Sequence, residues 1–375
     1  MIDFELSGEQ KMVRETVGAF ARDQVRPAAR SADESGAIPP ELVKLAWELG
    51  LARGPIPETL GGFGDRRSVL TGTLVAEELA WGDLAIALHV TAPALFAFPL
   101  LEMGTEEQRR RFLPLVATER FAAVTAAAME PRYDFDLSAL ATVASPNHSG
   151  FTLRGDKCCV PLGEQAQAFL VYARGEDKSG GARAGDLQGT QVFIVARDTP
   201  GLTVVEREKN MGLKALATYE LKLDGVRLAP DARLGGEQPA DAARLVAQSR
   251  VALAAMAVGV SRGAFEYARD YAKERRAFGA PIATKQAIAF MLAEMAIEID
   301  AARLLAWEAA TMLDKGLNAL KESSRAKHYA AGVALKTTDN ALQILGGHGY
   351  IREHPVEMWL RNARGFSAFE GLAIV

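Results

Sequence analysis

The chain has 375 residues and a mass of 40.2 kDa, beyond the size at which a single hydrophobic core usually stops growing, so we predict two or three domains. Hydrophobic residues make up 49% and charged residues 24%, which excludes disordered and fibrous classes of protein. The formal net charge of -4 argues against a nucleic-acid partner, because phosphate binding needs a basic face.

The first third of the chain is predicted to be helical. Its opening, MIDFELSGEQ, has neither the basic flank nor the apolar run of a signal peptide, so a cytoplasmic protein with no membrane association is expected. Ser7 and Gln10 form a capping box, which indicates that a helix begins there. Pro93 and Pro99 should kink or interrupt the last helical segment. Further helical patterns extend over 40–51, 68–81 and 84–101.

From about Phe121 the pattern changes to short runs that favour β-strands. Turn signals rich in glycine separate them, among them 179–181. Six or seven strands without intervening helices suggest an antiparallel barrel or sandwich rather than a Rossmann sheet. The predicted strands include 140–145 in part, 151–154, 169–173, 191–195, 202–205 and 219–223.

The helical period returns after Gly235-Gly236 and persists to the last residues. Residues 251–260 are apolar on every side, as in a helix buried among other helices. Two further long helices are predicted over 282–313 and 320–345, which makes the last third a helical bundle. The predicted fold class is therefore α+β, with a helical unit over 1–120, a β unit over 121–233 and a bundle over 234–375.

A metal site is not expected from the sequence. The only two cysteines, Cys158 and Cys159, are adjacent, so they neither match a zinc spacing nor form an unstrained disulfide easily. The five histidines are scattered without ligand spacing. Two packed thiols are the favoured interpretation.

Three C-terminal segments have ordinary structural explanations when each is taken alone. Residues 274–279 place cations and a glycine at a helix end, where both are common. Residues 343–350 form a helix ending in glycines; they lack the strand that precedes a Rossmann fingerprint, although such glycines let a phosphate come close. Glu370 is a lone carboxylate, for which a solvated surface position is the commoner explanation.

Together these segments resemble the acyl-CoA dehydrogenase family, and the resemblance covers essentially the whole chain. It implies a helical domain, a β domain and a four-helix domain, with FAD between the last two domains. The matching segments are MIDFELSGEQ, 56–57, 61–62, 77–79, 104–108, 130–131, Arg275-x-x-Phe278-Gly279, Gln286 and QILGGHGYIREHPVE.

The resemblance also implies the roles of individual residues. Glu370 in Phe369-Glu370-Gly371 matches the base that removes the α-proton of an acyl-CoA thioester, while the β-hydrogen leaves as hydride to the flavin. Arg250 matches an arginine near the substrate channel, with a cation paired to a carboxylate as the alternative. The residues that match binders of the adenine and pyrophosphate half of a neighbouring subunit's FAD are Arg275, Phe278, Gln286, Gln343, Gly346 and Gly347.

The departures from the family pattern are concentrated in the middle of the chain. Met129 and Phe135 replace a Thr and a Ser, and Pro161 replaces a second Thr. In the family each lost hydroxyl hydrogen-bonds the subunit's own flavin, and Pro161 offers no backbone donor either. Residues that serve a neighbour's FAD are therefore kept, whereas residues that serve the chain's own flavin are altered.

Three functions are consistent with this pattern. The first is an FAD-dependent acyl-CoA dehydrogenase, with an electron-transfer flavoprotein as acceptor and a homo-oligomer, a dimer or a tetramer, as the assembly. The second is a non-autonomous subunit that gives its Arg275 and Gln343 elements to a related partner subunit with intact flavin motifs. The third is an oxidase or another flavin reaction on the same scaffold, because fold does not determine chemistry. The first ranks highest because the base position survives.

Overall fold

The fold is known from a computed structural model that describes residues 5–176 and 187–375. The first four residues of the opening motif and the predicted turn at 179–181 lie outside the described residues. The predicted fold class is confirmed: helices form the first and last thirds of the chain, and a β-sheet forms the middle.

The N-terminal third is helical, as predicted. The capping box is present, because Ser7 Oγ accepts a hydrogen bond from the Gln10 backbone at 3.1 Å and Gln10 Oε1 accepts one from the Ser7 backbone at 3.0 Å. Pro93 separates two helices that meet at 43°, whereas Pro99 is accommodated inside the second of them. The helices are α1 Gly8–Phe20 with a π-helical continuation Ala21–Val25, α2 Arg26–Ser35, α3 Pro40–Glu48, α4 Val69–Gly82, α5 Leu84–Thr91, α6 Ala94–Met103 and α7 Glu106–Phe112.

The middle of the chain forms a mixed sheet rather than the antiparallel one expected. Strands β1 and β2 both pair in parallel with β4, and the remaining pairings within this sheet are antiparallel. The β2–β3 hairpin lies between β1 and β4 in the chain and supplies the long crossover that parallel strands need, without a helix. The strands are β1 Thr125–Ala127, β2 Val143–Asn147, β3 Gly150–Pro161, β4 Ala168–Gly175, β5 Thr190–Ala196, β6 Leu202–Arg207 and β7 Thr218–Leu228.

The C-terminal third is a bundle built around one long helix. This helix, α8, spans Ala242–Glu274 and is long and apolar enough to cross a membrane, but 83% of its most apolar window is buried inside the protein. It is a core helix, which explains why residues 251–260 are apolar on every side. The other elements are α9 Gln286–Asp314, α10 Leu320–Leu345, α11 Gly347–Tyr350 and α12 Val356–Ala363, with the short strands β8 Arg276–Ala277 and β9 Ala280–Pro281 between α8 and α9.

Helix α8 connects the two helical units. It packs on α4 most closely at Gly259, where an added Cβ would lie 2.2 Å from the Glu77 carbonyl oxygen. On its other sides it contacts α9 and α10. The same core cluster includes Met129 from the middle of the chain and Leu372 from its C-terminal segment. Residues from all three parts of the chain therefore meet along α8.

Candidate active site

Glu370 lies between two cations that come from different helices. Arg250 on α8 donates from Nε to both Glu370 carboxylate oxygens, at 3.2 Å each. Lys327 on α10 places its Nζ 3.4 Å from Glu370 Oε1. The Glu370 side chain is only 15% exposed, so it is not the solvated surface carboxylate that its isolation in the sequence suggested. Two helices of the bundle thus hold this carboxylate in place.

Arg250 has a second anchor on α10. Its Nη1 donates to Ser324 Oγ at 2.8 Å, and Ser324 Oγ in turn donates to the Leu320 carbonyl oxygen at 2.5 Å. The structure therefore brings Arg250 and Glu370 together, although 120 residues separate them in the chain. Ser324 and Lys327 were not predicted; their only signal is a spacing of three residues, which places both on one face of a helix.

The segment that carries Glu370 packs directly on the middle of the chain. Gly371 has φ +68°, and an added Cβ there would lie 2.5 Å from the Ala128 Cβ. Phe369 and Leu372, on either side, line a cavity of about 200 Å³ together with Cys159 and Leu213. We call this the Cys159 cavity. Cys159, from one of the altered motifs, thus shares this cavity with the residues on either side of Glu370.

The three altered positions face apolar surroundings. Met129 is buried in the core, and Phe135 is half-buried against it. Pro161 is buried at the end of β3, where it pairs with Thr218 of β7. None of these side chains can donate a hydrogen bond. The structure thus agrees with the sequence that the hydroxyl donors on this side are gone.

A buried ion pair supports the same side of the site. Lys157 Nζ donates to Glu130 Oε1 at 3.0 Å, and both side chains are almost fully buried. Burial lowers the pKa of Lys157 to about 8, although Glu130 opposes the shift. Burial raises the pKa of Glu130, but Lys157 and the backbone donors of Ala141 and Thr142 outweigh it and leave that pKa below its usual value. The pair holds β3 against the segment after β1.

Cys158 and Cys159 lie close to the Glu208 carboxylate, with the three candidate ligand atoms within 4.8 Å of one another. Cys159 has φ +53° at a β-bulge, and its backbone N–H donates to Glu208 Oε1 at 3.0 Å. Hydrogen bonding to Cys158, burial and the nearby Glu208 carboxylate all raise the pKa of the Cys159 thiol. Because a metal ligand must be a thiolate, this environment favours a packed, protonated Cys159 thiol.

A second region of the candidate site lies where α8 and α10 end. Arg275 follows α8, and Gly346 ends α10 with φ +59°. Both line a cavity of about 370 Å³ together with Gly347, Tyr271 and His348, which we call the Arg275 cavity. The structure thus brings together three residues that the sequence placed in one phosphate-binding group.

The other three residues of that group lie on the exposed surface. Phe278 is 95% exposed with φ +52°, and Lys285 Nζ lies 5.8 Å from the centre of its ring. Gln286 is the exposed first residue of α9, and Gln343 is exposed in the last turn of α10. An exposed phenylalanine held in the left-handed region suits contact with another molecule better than it suits an isolated chain.

The residues present fit FAD unevenly. At the Arg275 cavity, an added Cβ on Gly346 or Gly347 would meet nothing within 4 Å, so the backbone leaves room for a pyrophosphate beside the Arg275 guanidinium. The Gly346 N–H itself donates to the Gln343 carbonyl oxygen at 3.0 Å. The Cys159 cavity exposes mainly apolar surface, which suits the face of a flavin ring, and Asn210 and Arg364 are among its polar residues. Met129 and Pro161 lie outside this lining and have no side-chain donors. The phosphate half fits mainly by polar contacts, and the ring half fits mainly by apolar packing beside a few polar side chains.

Comparison with known proteins gives one family along the whole chain. The models of the acyl-CoA dehydrogenase N-terminal, middle and C-terminal domains match residues 7–120, 125–226 and 240–373. An acyl-CoA dehydrogenase of Bacillus subtilis is 34% identical over 368 residues, covering 97% of this chain and 94% of that protein.

Solved structures agree with this match. Butyryl-CoA dehydrogenase from Megasphaera elsdenii has a TM-score of 0.85 and 30% identity, covering 100% of this chain and 96% of that one. The FAD complex of PigA has a TM-score of 0.87 and 25% identity, covering 98% and 95% of the two chains.

Proposed function

The chain belongs to the acyl-CoA dehydrogenase family, and from this premise we propose that it desaturates an acyl-CoA thioester between its α and β carbons, with Glu370 as the general base. The observation that carries the proposal is the position of Glu370. It is a largely buried carboxylate, fixed by Arg250 and Lys327, beside the cavity that lies between the middle of the chain and the bundle. A general base needs reach first, and these contacts supply a fixed position.

The family's cofactor is FAD, which when bound supplies the acceptor for the β-hydrogen as hydride. In this chain Glu370 takes the α-proton, and Arg250 and Lys327 orient its carboxylate. Arg250 pairs with a carboxylate, which is the alternative given from the sequence, and that carboxylate is Glu370 itself. Its contact with substrate is kept as a proposal. Residues 372–375, which follow Gly371, are buried and fix this segment in the core.

We propose that FAD is held from two sides. The residues that would bind the adenine and pyrophosphate half of a neighbouring subunit's FAD are Arg275, Phe278, Gln286, Gln343, Gly346 and Gly347. This arrangement requires a homo-oligomer, a dimer or a tetramer, because these residues lie on the exposed surface of one chain. On the ring side, the segments around Met129, Phe135 and Pro161 would contact the flavin through apolar surface.

The remaining features of the proposal follow the family. An electron-transfer flavoprotein is the expected electron acceptor, and one of the similar solved structures concerns the electron transferring flavoprotein of Acidaminococcus fermentans. The division into units over 1–120, 121–233 and 234–375 and the cytoplasmic location are kept as proposals. The two other functions, a non-autonomous subunit and a different flavin reaction, are not favoured, because relatives named as acyl-CoA dehydrogenases match across the chain.

The test compares Glu370→Gln with the unchanged chain. FAD per chain is measured from the visible spectrum, and flavin bleaching is then followed without oxygen on adding straight-chain acyl-CoA thioesters of increasing length. We expect bleaching to slow by about 10²- to 10⁴-fold in the variant, with FAD content unchanged, because a general base contributes roughly that factor.

The matched control is Glu322→Gln, which removes a different partly buried carboxylate. Glu322 lies on α10 and pairs with Arg325. This control should bleach at the rate of the unchanged chain. Equal rates for Glu370→Gln and the unchanged chain would refute Glu370 as the base.

A further inference from the structure

Two tyrosine–histidine pairs lie between α8 and the segment that follows α10. Tyr271 Oη lies 2.7 Å from His348 Nδ1, and Tyr267 Oη lies 2.6 Å from His354 Nδ1. The two tyrosines are one helical turn apart on α8, and the two histidine rings are 5.7 Å apart. The pairs therefore have the same chemistry and almost the same hydrogen bond.

Only one of the two pairs reaches the Arg275 cavity. Within the described part of the chain, the residues lining this cavity include Tyr271 and His348 but neither Tyr267 nor His354. Tyr267 instead packs edge-on against Trp359, and the carbonyl oxygen of His354 accepts a hydrogen bond from Arg30 at 2.8 Å. The Tyr267–His354 pair is thus part of the packing between helices, which accounts for it without a ligand.

The contact with Tyr271 couples a phenol to the tautomer of His348, because a ring nitrogen that accepts the phenol O–H leaves the imidazole proton on the other nitrogen. A phenol is a good hydrogen-bond donor, and its O–H donates to the unprotonated Nδ1 of a neutral imidazole. The remaining proton is then on Nε2, because the hydrogen bond made by one ring nitrogen sets the state of the other. His348 is half-buried and lines the cavity, and in this tautomer Nε2–H is its remaining ring donor.

The surroundings of His348 select an anion as its partner. Arg275 supplies a guanidinium to the same cavity, and Gly346 and Gly347 leave open space beside their backbone. We propose that His348, oriented by Tyr271, is a further ligand of the cofactor's diphosphate in the Arg275 cavity. This proposal rests on the proposed function, in which that cavity takes the pyrophosphate of FAD; here the diphosphate accepts a hydrogen bond from His348 Nε2.

The test measures dissociation constants for FAD and for ADP, which carries the diphosphate without the flavin ring. The full-length protein is compared with His348→Leu, Tyr271→Phe and the double variant, by fluorescence for FAD and calorimetry for ADP. We expect about tenfold weaker binding of both ligands to His348→Leu, since a hydrogen bond to a charged group contributes roughly that much. Tyr271→Phe should weaken binding about threefold, because the imidazole stays but its orientation is lost.

The double variant distinguishes a positioning role of Tyr271, exerted through His348, from a packing role. If Tyr271 acts through His348, the double variant binds no more weakly than His348→Leu alone. His348→Gln, whose amide can still donate, should recover most of the affinity, and Tyr267→Phe is the matched control because it breaks the pair that does not line the cavity. Thermal unfolding of each variant checks that the bundle remains folded.

Three outcomes would overturn the proposal. They are unchanged affinity in His348→Leu, additive losses in the double variant, and an equal loss in Tyr267→Phe, which would indicate general loosening of the bundle. Failure of the proposed function gives a different result: FAD and ADP would bind with the expected variant effects, but acyl-CoA thioesters would not bleach the flavin. The binding measurements therefore test the role of His348 independently of turnover.

Discussion

The Arg275 cavity and the Cys159 cavity differ in what lines them. The first has a guanidinium, an imidazole and two open glycines at the exposed ends of helices. The second lies between the middle of the chain and the Glu370 segment, and its walls include Phe369, Leu372 and Cys159. The Arg275 cavity therefore presents mainly polar groups, whereas the Cys159 cavity exposes mainly apolar surface and has Asn210, Arg361 and Arg364 among its polar residues.

This difference shows how the affinity for one cofactor can be distributed between two subunits, one that contacts the diphosphate and one that contacts the flavin ring. A diphosphate has localised charge, so its site depends on a few donors and loses affinity sharply when one is removed. A flavin ring is large and flat, so apolar contact can stabilise it even where side-chain hydrogen bonds are lost. We therefore expect the phosphate side to be sensitive to single polar changes and the ring side to depend on packing.

The largest expected effect comes from breaking the buried ion pair that supports the flavin-ring side of the site. Lys157→Met removes the nearer cation of the buried Glu130 carboxylate and leaves only Arg132, whose Nη1 lies 3.9 Å away, so we expect the free energy of unfolding to fall by about 3 kcal/mol. Denaturant unfolding measures this change. The double variant Lys157→Met/Glu130→Gln removes both charges and should recover much of the loss. A loss of less than about 1 kcal/mol in the single variant would show that the pair does not support this side.

A smaller effect is expected where the Glu370 segment meets the middle of the chain. Gly371→Ala adds a Cβ 2.5 Å from the Ala128 Cβ and places alanine at φ +68°, so stability should fall by about 2–3 kcal/mol. Gly316→Ala is the matched control for backbone strain, because its φ is +70° but an added Cβ meets nothing within 4 Å. Ala128→Gly should relieve the contact in Gly371→Ala. Equal losses in Gly371→Ala and Gly316→Ala would disprove close packing at this point.

On the phosphate side, removal of one cation should weaken FAD binding without unfolding the protein. Arg275→Gln is expected to raise the FAD dissociation constant about 30-fold, which corresponds to about 2 kcal/mol for a charge-assisted hydrogen bond. Arg276→Gln is the control, since Arg276 is exposed and donates to the Gly279 carbonyl oxygen at 3.2 Å. Fluorescence titration with FAD compares the two. Equal weakening would mean that only the net charge of the segment matters.

The sequence predicted the local elements and the resemblance, but not the contacts between distant segments. Helix α10 has the predicted bounds, Leu320–Leu345, because its apolar period and the glycines after it are local signals. The parallel pairing of β1 with β4 was missed because strand pairing depends on the path of the whole chain. Lys327 was missed for a similar reason. Its contact with Glu370 depends on how α10 is rotated against α8, which the apolar periodicity of one helix does not determine.

The smallest expected effect comes from a substitution that restores one polar donor on the flavin-ring side. Pro161→Thr adds a hydroxyl and a backbone N–H at the end of β3, at a position where the family has a threonine that hydrogen-bonds the flavin. We expect about fivefold tighter FAD binding, close to the roughly 1 kcal/mol of one neutral hydrogen bond. Pro146→Thr, at an exposed position in β2, is the control for replacing a strand proline and should leave affinity unchanged. If Pro161→Thr also leaves the FAD dissociation constant unchanged, this position contributes to flavin binding by packing alone. Added polar donors would then matter at the Arg275 cavity but not at residue 161.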